Sequence, residues 1–349
     1  MHTISYDDSL SLQKPVYIDV RSPREYREDH IPGAVNIPIF DDAEHADVGT
    51  RYKMSGQDAA VTLGSRIVGN KLGDIISRIQ EISKRGIPVI YCFRGGMRSS
   101  SLAALLASLE FSPVYQLQKG YKGYRNHVLC SIESIETNSM PQLFVLQGLT
   151  GTGKTEILHF LDNAVDLEGI AGHRSSVFGG IGKSQNSQKY FESMLLDRIR
   201  ALQNAAYMVI EGEAKKIGNC HIPQSLFSIM QCAPTIYITA PIQRRTEIIR
   251  REYTGNFNAE EVKGIVDSLD SRIGQKNTLL LREYIDNKNL DDFIQLLLTK
   301  YYDPLYHHAL QKKEYCAVIE NNDSEEAARK INEIIASALS IRQSPRDLS

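Results

Sequence analysis

Leu143-Phe144-Val145-Leu146-Gln147 runs directly into Gly148-Leu149-Thr150-Gly151-Thr152-Gly153-Lys154-Thr155, and a helical segment, Glu156 to Leu161, follows. The middle stretch satisfies G-x-x-x-x-G-K-[ST] in full. Its place between an apolar strand and a helix is the context in which that motif holds phosphate. Gly148, Gly151 and Gly153 let the chain curl so that backbone N–H groups, that of Thr152 among them, surround a diphosphate. Lys154 neutralises the anion, and the Thr155 hydroxyl is placed to reach a magnesium ion if one is present. A fortuitous glycine-rich turn is the alternative, and both flanking elements argue against it. Further on, Met208-Val209-Ile210-Glu211-Gly212-Glu213 reads as a second strand ending in carboxylates. Glu211 or Glu213 is suited to orienting magnesium or water, although a solvated strand end fits as well and no protein metal site is assigned. No stretch reads an adenine or guanine base, so an isoprenyl diphosphate is as admissible as ATP or GTP.

The same strand–loop–helix pattern occurs nearer the N-terminus. Pro88-Val89-Ile90-Tyr91-Cys92 ends in Phe93-Arg94-Gly95-Gly96-Met97-Arg98, and an Ala/Leu/Ser-rich helix, Ser99 to Leu109, follows. Loop amides and a helix N-terminus stabilise an anion, so a thiolate at Cys92 becomes a nucleophile there. Gly95 and Gly96 give a backbone free to wrap an anion, with Met97 beside them, while Arg94 and Arg98 add positive charge. A buried structural cysteine with solvent-facing arginines is the plain alternative. Upstream, Val16 to Val20 reads as a buried strand, followed by a short helix and a turn at His30 to Ala34. The chain is therefore read as α/β, with one domain over residues 1–130, a linker over 131–141 and a second domain over 142–349. Further strands are expected at Tyr207 to Ile210 and Thr235 to Thr239, and the last part of the chain is expected to be mainly helical.

Composition sets the limits. A length of 349 residues with 42% hydrophobic side chains suits two globular domains. There is neither a membrane-length apolar run nor a basic-then-apolar leader, so a cytoplasmic location without membrane contact is expected. Cys92, Cys130, Cys220, Cys232 and Cys316 are odd in number and unpaired in spacing, which disfavours a disulfide framework or a structural zinc site. The net charge of -2 gives no sign of a polyanionic partner, so nucleic-acid binding would rest on local basic patches.

Asp19-Val20-Arg21, Glu25-Tyr26 and His30-Ile31-Pro32-Gly33-Ala34-Val35-Asn36-Ile37-Pro38, with Cys92 in its loop, resemble the rhodanese domain over roughly residues 1–130. Common sulfurtransferase loops are one residue shorter, whereas the spacing from Cys92 to Arg98 is that of the related cysteine phosphatases. A wider cradle suits a tetrahedral, phosphate-like donor such as selenophosphate. The same spacing keeps a cysteine phosphatase open as a reading, although Tyr91 stands where such phosphatases carry histidine. A rhodanese signature joined to a complete phosphate loop resembles the tRNA 2-selenouridine synthase family. Arg51-Tyr52-Lys53-Met54-Ser55-Gly56, Leu63-Gly64, the loop from His173 to Gly182, Gln185 to Glu192 and Glu211-Gly212-Glu213 agree, so the resemblance reaches about Tyr253. Ser175 departs from it, standing where the family is expected to have glycine.

The resemblance implies an α/β transferase, both selenotransferase and geranyltransferase, acting on 2-thiouridine at the wobble position of tRNAs for lysine, glutamate and glutamine. Geranyl diphosphate would alkylate the sulfur, and selenium from selenophosphate would replace it. No cofactor would stay bound, although Mg2+ is admissible. The diphosphate would sit on Gly148–Thr155, and Cys92 would serve selenium delivery. His173 and Arg174 are accessory candidates. Lys183, Lys189, Arg198, Arg200, Lys215, Lys216, Arg244, Arg245, Arg250 and Arg251 are candidate tRNA phosphate contacts, with Arg244, Arg245, Arg251 and Tyr253 as one patch. A rhodanese-type sulfurtransferase would leave the phosphate loop idle. A P-loop NTPase or kinase would leave Cys92 without a role.

Overall fold

The computed structural model describes residues 2–111, 113–136, 140–174, 176, 178–179, 185–253, 258–310 and 313–343. The chain divides into two compact units, Met1–Ser134 with Lys189–Asp197, and Ile135–Gln188 with Arg198–Ser349. Lys189–Asp197, which the sequence reading placed in the second domain, thus groups with the first unit. The helix Gly120–Glu133 also runs past the start expected for the linker.

The first unit is built on β1 (His2–Ile4), β2 (Pro15–Asp19), β3 (Val35–Asn36), β4 (Ile87–Tyr91) and β5 (Tyr115–Leu117), in the spatial order β1-β5-β4-β2-β3. All pairings are parallel, with Ile18 opposite Ile90 and Asp19 opposite Tyr91. Parallel sheets are covered on both faces and therefore read as continuous apolar runs, which is why β2 and β4 were legible. Ile18, Ile90, Ile79, Leu102 and Leu106 pack into one core. Ser22 and Glu25 cap the helix Pro23–Glu28 reciprocally, a capping box that starts this helix after Asp19-Val20-Arg21. The long helix Asp42–Ser83 is interrupted at Gly56, whose φ of 82° lies in a region glycine adopts without Cβ strain.

The second unit contains β6 (Gln142–Gly148), β7 (Ala164–Val165), β8 (Tyr207–Glu211), β11 (Thr235–Thr239) and β12 (Ala317–Glu320), ordered β12-β11-β6-β8-β7 and again parallel. A two-stranded antiparallel hairpin, β9 (Lys216–Ile217) with β10 (Cys220–His221), lies apart from this sheet. Because β6 and β8 are neighbours in register, with Leu146 opposite Glu211, the phosphate loop and the carboxylate strand end emerge side by side. Helices Ala259–Ser268, Gln275–Asp286 and Leu290–Leu297, a π-helical turn Leu298–Tyr302 and helix Asp303–Leu310 make a second apolar cluster around Val266, Leu281, Phe293 and Leu298. The helical expectation for this region holds, with β12 as the exception. That strand is short and carries exposed Val318 on its outer edge, so it lacks the apolar run that marks a central strand.

Candidate functional sites

In the second unit the sequence-predicted phosphate residues form one structure. Gly148 ends β6, and Gly151 and Gly153 hold φ of 78° and 82°. A Cβ at Gly151 would lie 2.7 Å from Ile249 Cδ1, and one at Gly153 would collide with Asn321, so other side chains are excluded twice over, by dihedral and by space. Helix Lys154–His159 follows at once. Thr152 Oγ1 donates to Leu149 O at 2.9 Å, Asn321 Nδ2 donates to Thr152 O at 2.8 Å, and Lys154 Nζ donates to Gly148 O at 3.3 Å. Arg245, buried on helix Ile242–Tyr253, donates through Nε to Thr150 O at 2.9 Å and grips Asp303 with both terminal nitrogens, at 3.0 and 2.6 Å. A buried fork that braces the loop cannot meet an RNA phosphate, so Arg245 is a scaffold residue and leaves the expected tRNA patch.

Carboxylates face the loop. Thr155 Oγ1 donates to Glu211 Oε1 at 3.1 Å, and the Glu168 amide donates to Glu211 Oε2 at 3.4 Å. The carboxylate oxygens of Glu168, Glu211 and Glu213 lie within 4.8 Å of one another. Burial above all, then repulsion from Glu168 and Glu213, holds Glu211 well above the usual carboxylate pKa despite Lys154. Burial by itself would lower the Lys154 pKa, but Glu213, Glu211 and Glu168 together hold it above the ordinary lysine value. Lys154 is therefore a fixed positive charge beside the carboxylate cluster.

The loop lines a cavity of about 380 Å³, within the ~300–1,000 Å³ usual for small-molecule sites. Lys154, Thr155, Glu168, Glu211 and Glu213 give it polar groups, while Phe227, Val262, Phe293, Ile294, Leu297 and Leu298 give it an apolar wall. Arg174 lines the same cavity. His173 packs instead under the Gly218 turn of the β9–β10 hairpin, where a Cβ would come 2.7 Å from His173 Cγ. Glu168, Asn321, the bracing role of Arg245 and the apolar wall were not found from sequence. The wall had a usable signal, since Phe293, Ile294 and Leu297 recur at helical spacing.

Part of the expected basic patch is engaged within the protein. Glu156 pairs with Arg251 at 2.9 Å and with Arg244 at 3.5 Å, and Arg198 donates to the carbonyls of Ala164 and Asp162. Lys183, Ser175 and the Tyr253 side chain lie outside the described residues.

In the first unit Cys92 follows β4 and is buried, with Sγ 3.1 Å from Ser99 Oγ. Ser99 is held in turn by Gln116 Nε2, 3.2 Å away, and that amide also donates to Gly95 O at 2.6 Å. The helix Met97–Ser108 begins directly after Gly96, so its N-terminus faces the loop that carries the thiol. The chain returns past the loop at Gly120, where φ is 54° and a Cβ would strike the Cys92 carbonyl. The two arginines do not both point at the thiol. Arg98 donates to Glu25 Oε2 at 3.1 Å, and the exposed Arg94 guanidinium lies 5.8 Å from the Phe93 ring centre. Beneath this region Arg21 makes a buried bidentate pair with Asp19 and stacks 4.0 Å from the Tyr121 ring centre. Asp19-Val20-Arg21 is thus a structural signature.

The model of the tRNA 2-selenouridine synthase AAA domain matches residues 141–276, and that of the rhodanese-like domain matches residues 5–127. The tRNA 2-selenouridine synthase of Hydrogenovibrio crunogenus is 33% identical over 344 residues, spanning 88% of this chain and 92% of that protein. That of Shewanella frigidimarina is 32% identical over 337 residues, spanning 87% and 91%. That of Pseudomonas fluorescens is 34% identical over 340 residues, spanning 88% and 91%. Matched in both units and along nearly its whole length, the chain belongs to the tRNA 2-selenouridine synthase family.

Proposed function

We propose that this protein is a cytoplasmic transferase that converts 2-thiouridine at the wobble position of tRNAs for lysine, glutamate and glutamine into 2-selenouridine, by way of an S-geranyl intermediate. In the first step the thiocarbonyl sulfur attacks C1 of geranyl diphosphate. The C1–O bond breaks, diphosphate leaves with its electron pair, and the uridine N3 proton is released. In the second step selenium from selenophosphate takes the place of the geranylated sulfur at C2, geranylthiol leaves, and water converts the remaining phosphoryl group to orthophosphate.

The observation that carries this reading is the second unit's cavity, where a diphosphate loop and an apolar wall share one space. An isoprenyl diphosphate has that polarity: an anion at one end and a hydrocarbon at the other. Lys154 and the amides of Gly151 to Thr155 would hold the diphosphate and stabilise the charge that builds on it as it leaves. Thr155, Glu168, Glu211 and Glu213 would hold a divalent cation, since their oxygens converge beside the loop. Such an ion would supply further neutralisation of the leaving group. Apolar walls exclude water and keep the allylic group from hydrolysis. In the first unit, the loop from Cys92 to Arg98 has the spacing and helix N-terminus suited to a tetrahedral selenophosphate, with Cys92 serving selenium delivery.

Nucleoside mass spectrometry of 2-thiouridine-containing tRNA, incubated with each donor alone and both together, tests this. Geranyl diphosphate alone should give S-geranyl-2-thiouridine, and adding selenophosphate should give 2-selenouridine. Unchanged 2-thiouridine under every combination would remove the reading. Thermal stabilisation by ATP or GTP, with none from geranyl diphosphate, would assign the loop to nucleotide chemistry.

A further inference from the structure

We propose that Gln116 is a positioning residue for the sulfur of Cys92: its amide turns the Ser99 hydroxyl so that the Ser99 proton points at Sγ and favours the thiolate. The assignment rests on the reading above in which Cys92 serves selenium delivery.

The directions of these hydrogen bonds follow from which groups can only accept. Gly95 O lies 2.6 Å from one end of the Gln116 amide, and a carbonyl only accepts, so that end is the NH2 group, Nε2. The same nitrogen lies 3.2 Å from Ser99 Oγ. With one N–H on Gly95 O, Gln116 gives its other N–H to the hydroxyl. Ser99 thereby accepts from Gln116 and keeps its single proton for another neighbour. Two are in reach, Cys92 Sγ at 3.1 Å and Gly96 O at 3.3 Å. Gly96 O already takes the backbone amides of Ser99 and Ser100, each at 3.1 Å, which fills its two lone pairs. Sulfur is left as the acceptor of the Ser99 proton.

A thiol accepts such a proton weakly and a thiolate well, so the donated hydroxyl favours the charged form. The fold holds all three groups in place. Cys92 follows β4, Ser99 lies in the first turn of helix Met97–Ser108, and Gln116 lies in β5 opposite Ile90 of β4. Each is buried, and burial strengthens hydrogen bonds that are satisfied. The charges on the surrounding segments belong to Arg94, to Arg98 with Glu25, to Asp19 with Arg21, and to exposed Lys119. None of them is altered by changing Ser99 or Gln116.

Ultraviolet thiolate absorbance of the full-length protein, followed against pH and taken as the difference from the matching Cys92→Ala protein, reads the sulfur itself. Ser99→Ala removes the donor, and Gln116→Met keeps the shape but removes what turns it. Each should raise the pH at which thiolate forms by about one unit, the worth of a hydrogen bond to a charged group. Ser99→Ala, the loss of one buried oxygen, guards against misfolding. In the double variant the shifts should not add, because Gln116 acts only through Ser99. Formation of 2-selenouridine from selenophosphate and tRNA geranylated beforehand should fall roughly tenfold at low pH in each variant and recover as pH rises. A merely structural role would lower the rate evenly at every pH. Unchanged thiolate titration in folded Ser99→Ala and Gln116→Met proteins, or fully additive shifts in the double variant, would overturn the role of Gln116 whatever Cys92 does. Shifted titration with 2-selenouridine still formed by Cys92→Ala would overturn the selenium-delivery reading, and the use of this network in the reaction with it.

Discussion

The loop from Cys92 to Arg98 and the loop from Gly148 to Thr155 start from one plan: a central parallel strand, a glycine-bearing turn and a helix whose N-terminus faces the turn. They differ in what surrounds the turn. Around Cys92 the neighbours are local hydrogen-bonding groups, Ser99 and Gln116, and the nearby Arg98 is already satisfied by Glu25. Around Lys154 the sheet order brings in distant carboxylates, and a helical cluster adds an apolar wall. The first arrangement fixes one buried sulfur, while the second builds a compartment. The same backbone device thus holds either a single thiol or a cavity, and the neighbours decide which.

If the comparison is right, Lys154→Ala has the largest effect on ligand binding. Its ammonium is the fixed charge of the compartment, so calorimetry should show affinity for geranyl diphosphate falling by roughly 10²-fold or more. A loss of only a few fold would mean that the loop amides do the work alone.

Arg245→Ala should come next, through stability. It leaves Asp303 unpaired and releases Thr150 O, at a cost of about 2 kcal/mol or more in denaturant unfolding. Arg245→Lys should recover little, because a single ammonium cannot replace the fork.

Arg98→Ala should be milder, about tenfold or less in selenophosphate affinity, since Glu25 already engages the guanidinium. A loss as large as that in Lys154→Ala would break the contrast, by showing that Arg98 leaves Glu25 to grip the anion.

The smallest effect expected is on pH dependence. Glu211 has a raised pKa in the fold, so the folded state holds its proton more tightly than the unfolded one. That contribution is complete below the usual carboxylate range and is lost as pH rises through the raised value. In ligand-free protein, Glu211→Gln should therefore flatten the fall of melting temperature as pH rises above the usual carboxylate range, by a few degrees. Parallel melting curves for wild type and variant would show that Glu211 is not strained.

The central strands β2, β4, β6, β8 and β11 were readable from sequence as apolar runs, and both loops by their glycines at fixed offsets. Edge strands were not: β12 pairs along one side only and alternates too briefly to register. Arg245 was misread for a physical reason. Sequence shows a charge on a helix, but only the fold shows that this face of the helix turns inward onto Thr150 and Asp303. Glu168 and Asn321 reach the loop from elements far away in sequence, so no local pattern announces them.

The division of labour between the two loops is tested most directly by following both nucleoside products in Cys92→Ala and Lys154→Ala proteins supplied with both donors. The account predicts that Cys92→Ala accumulates S-geranyl-2-thiouridine without 2-selenouridine. It predicts that Lys154→Ala fails on 2-thiouridine tRNA but still converts tRNA geranylated beforehand. Loss of geranylation with selenium transfer intact in Cys92→Ala would contradict it.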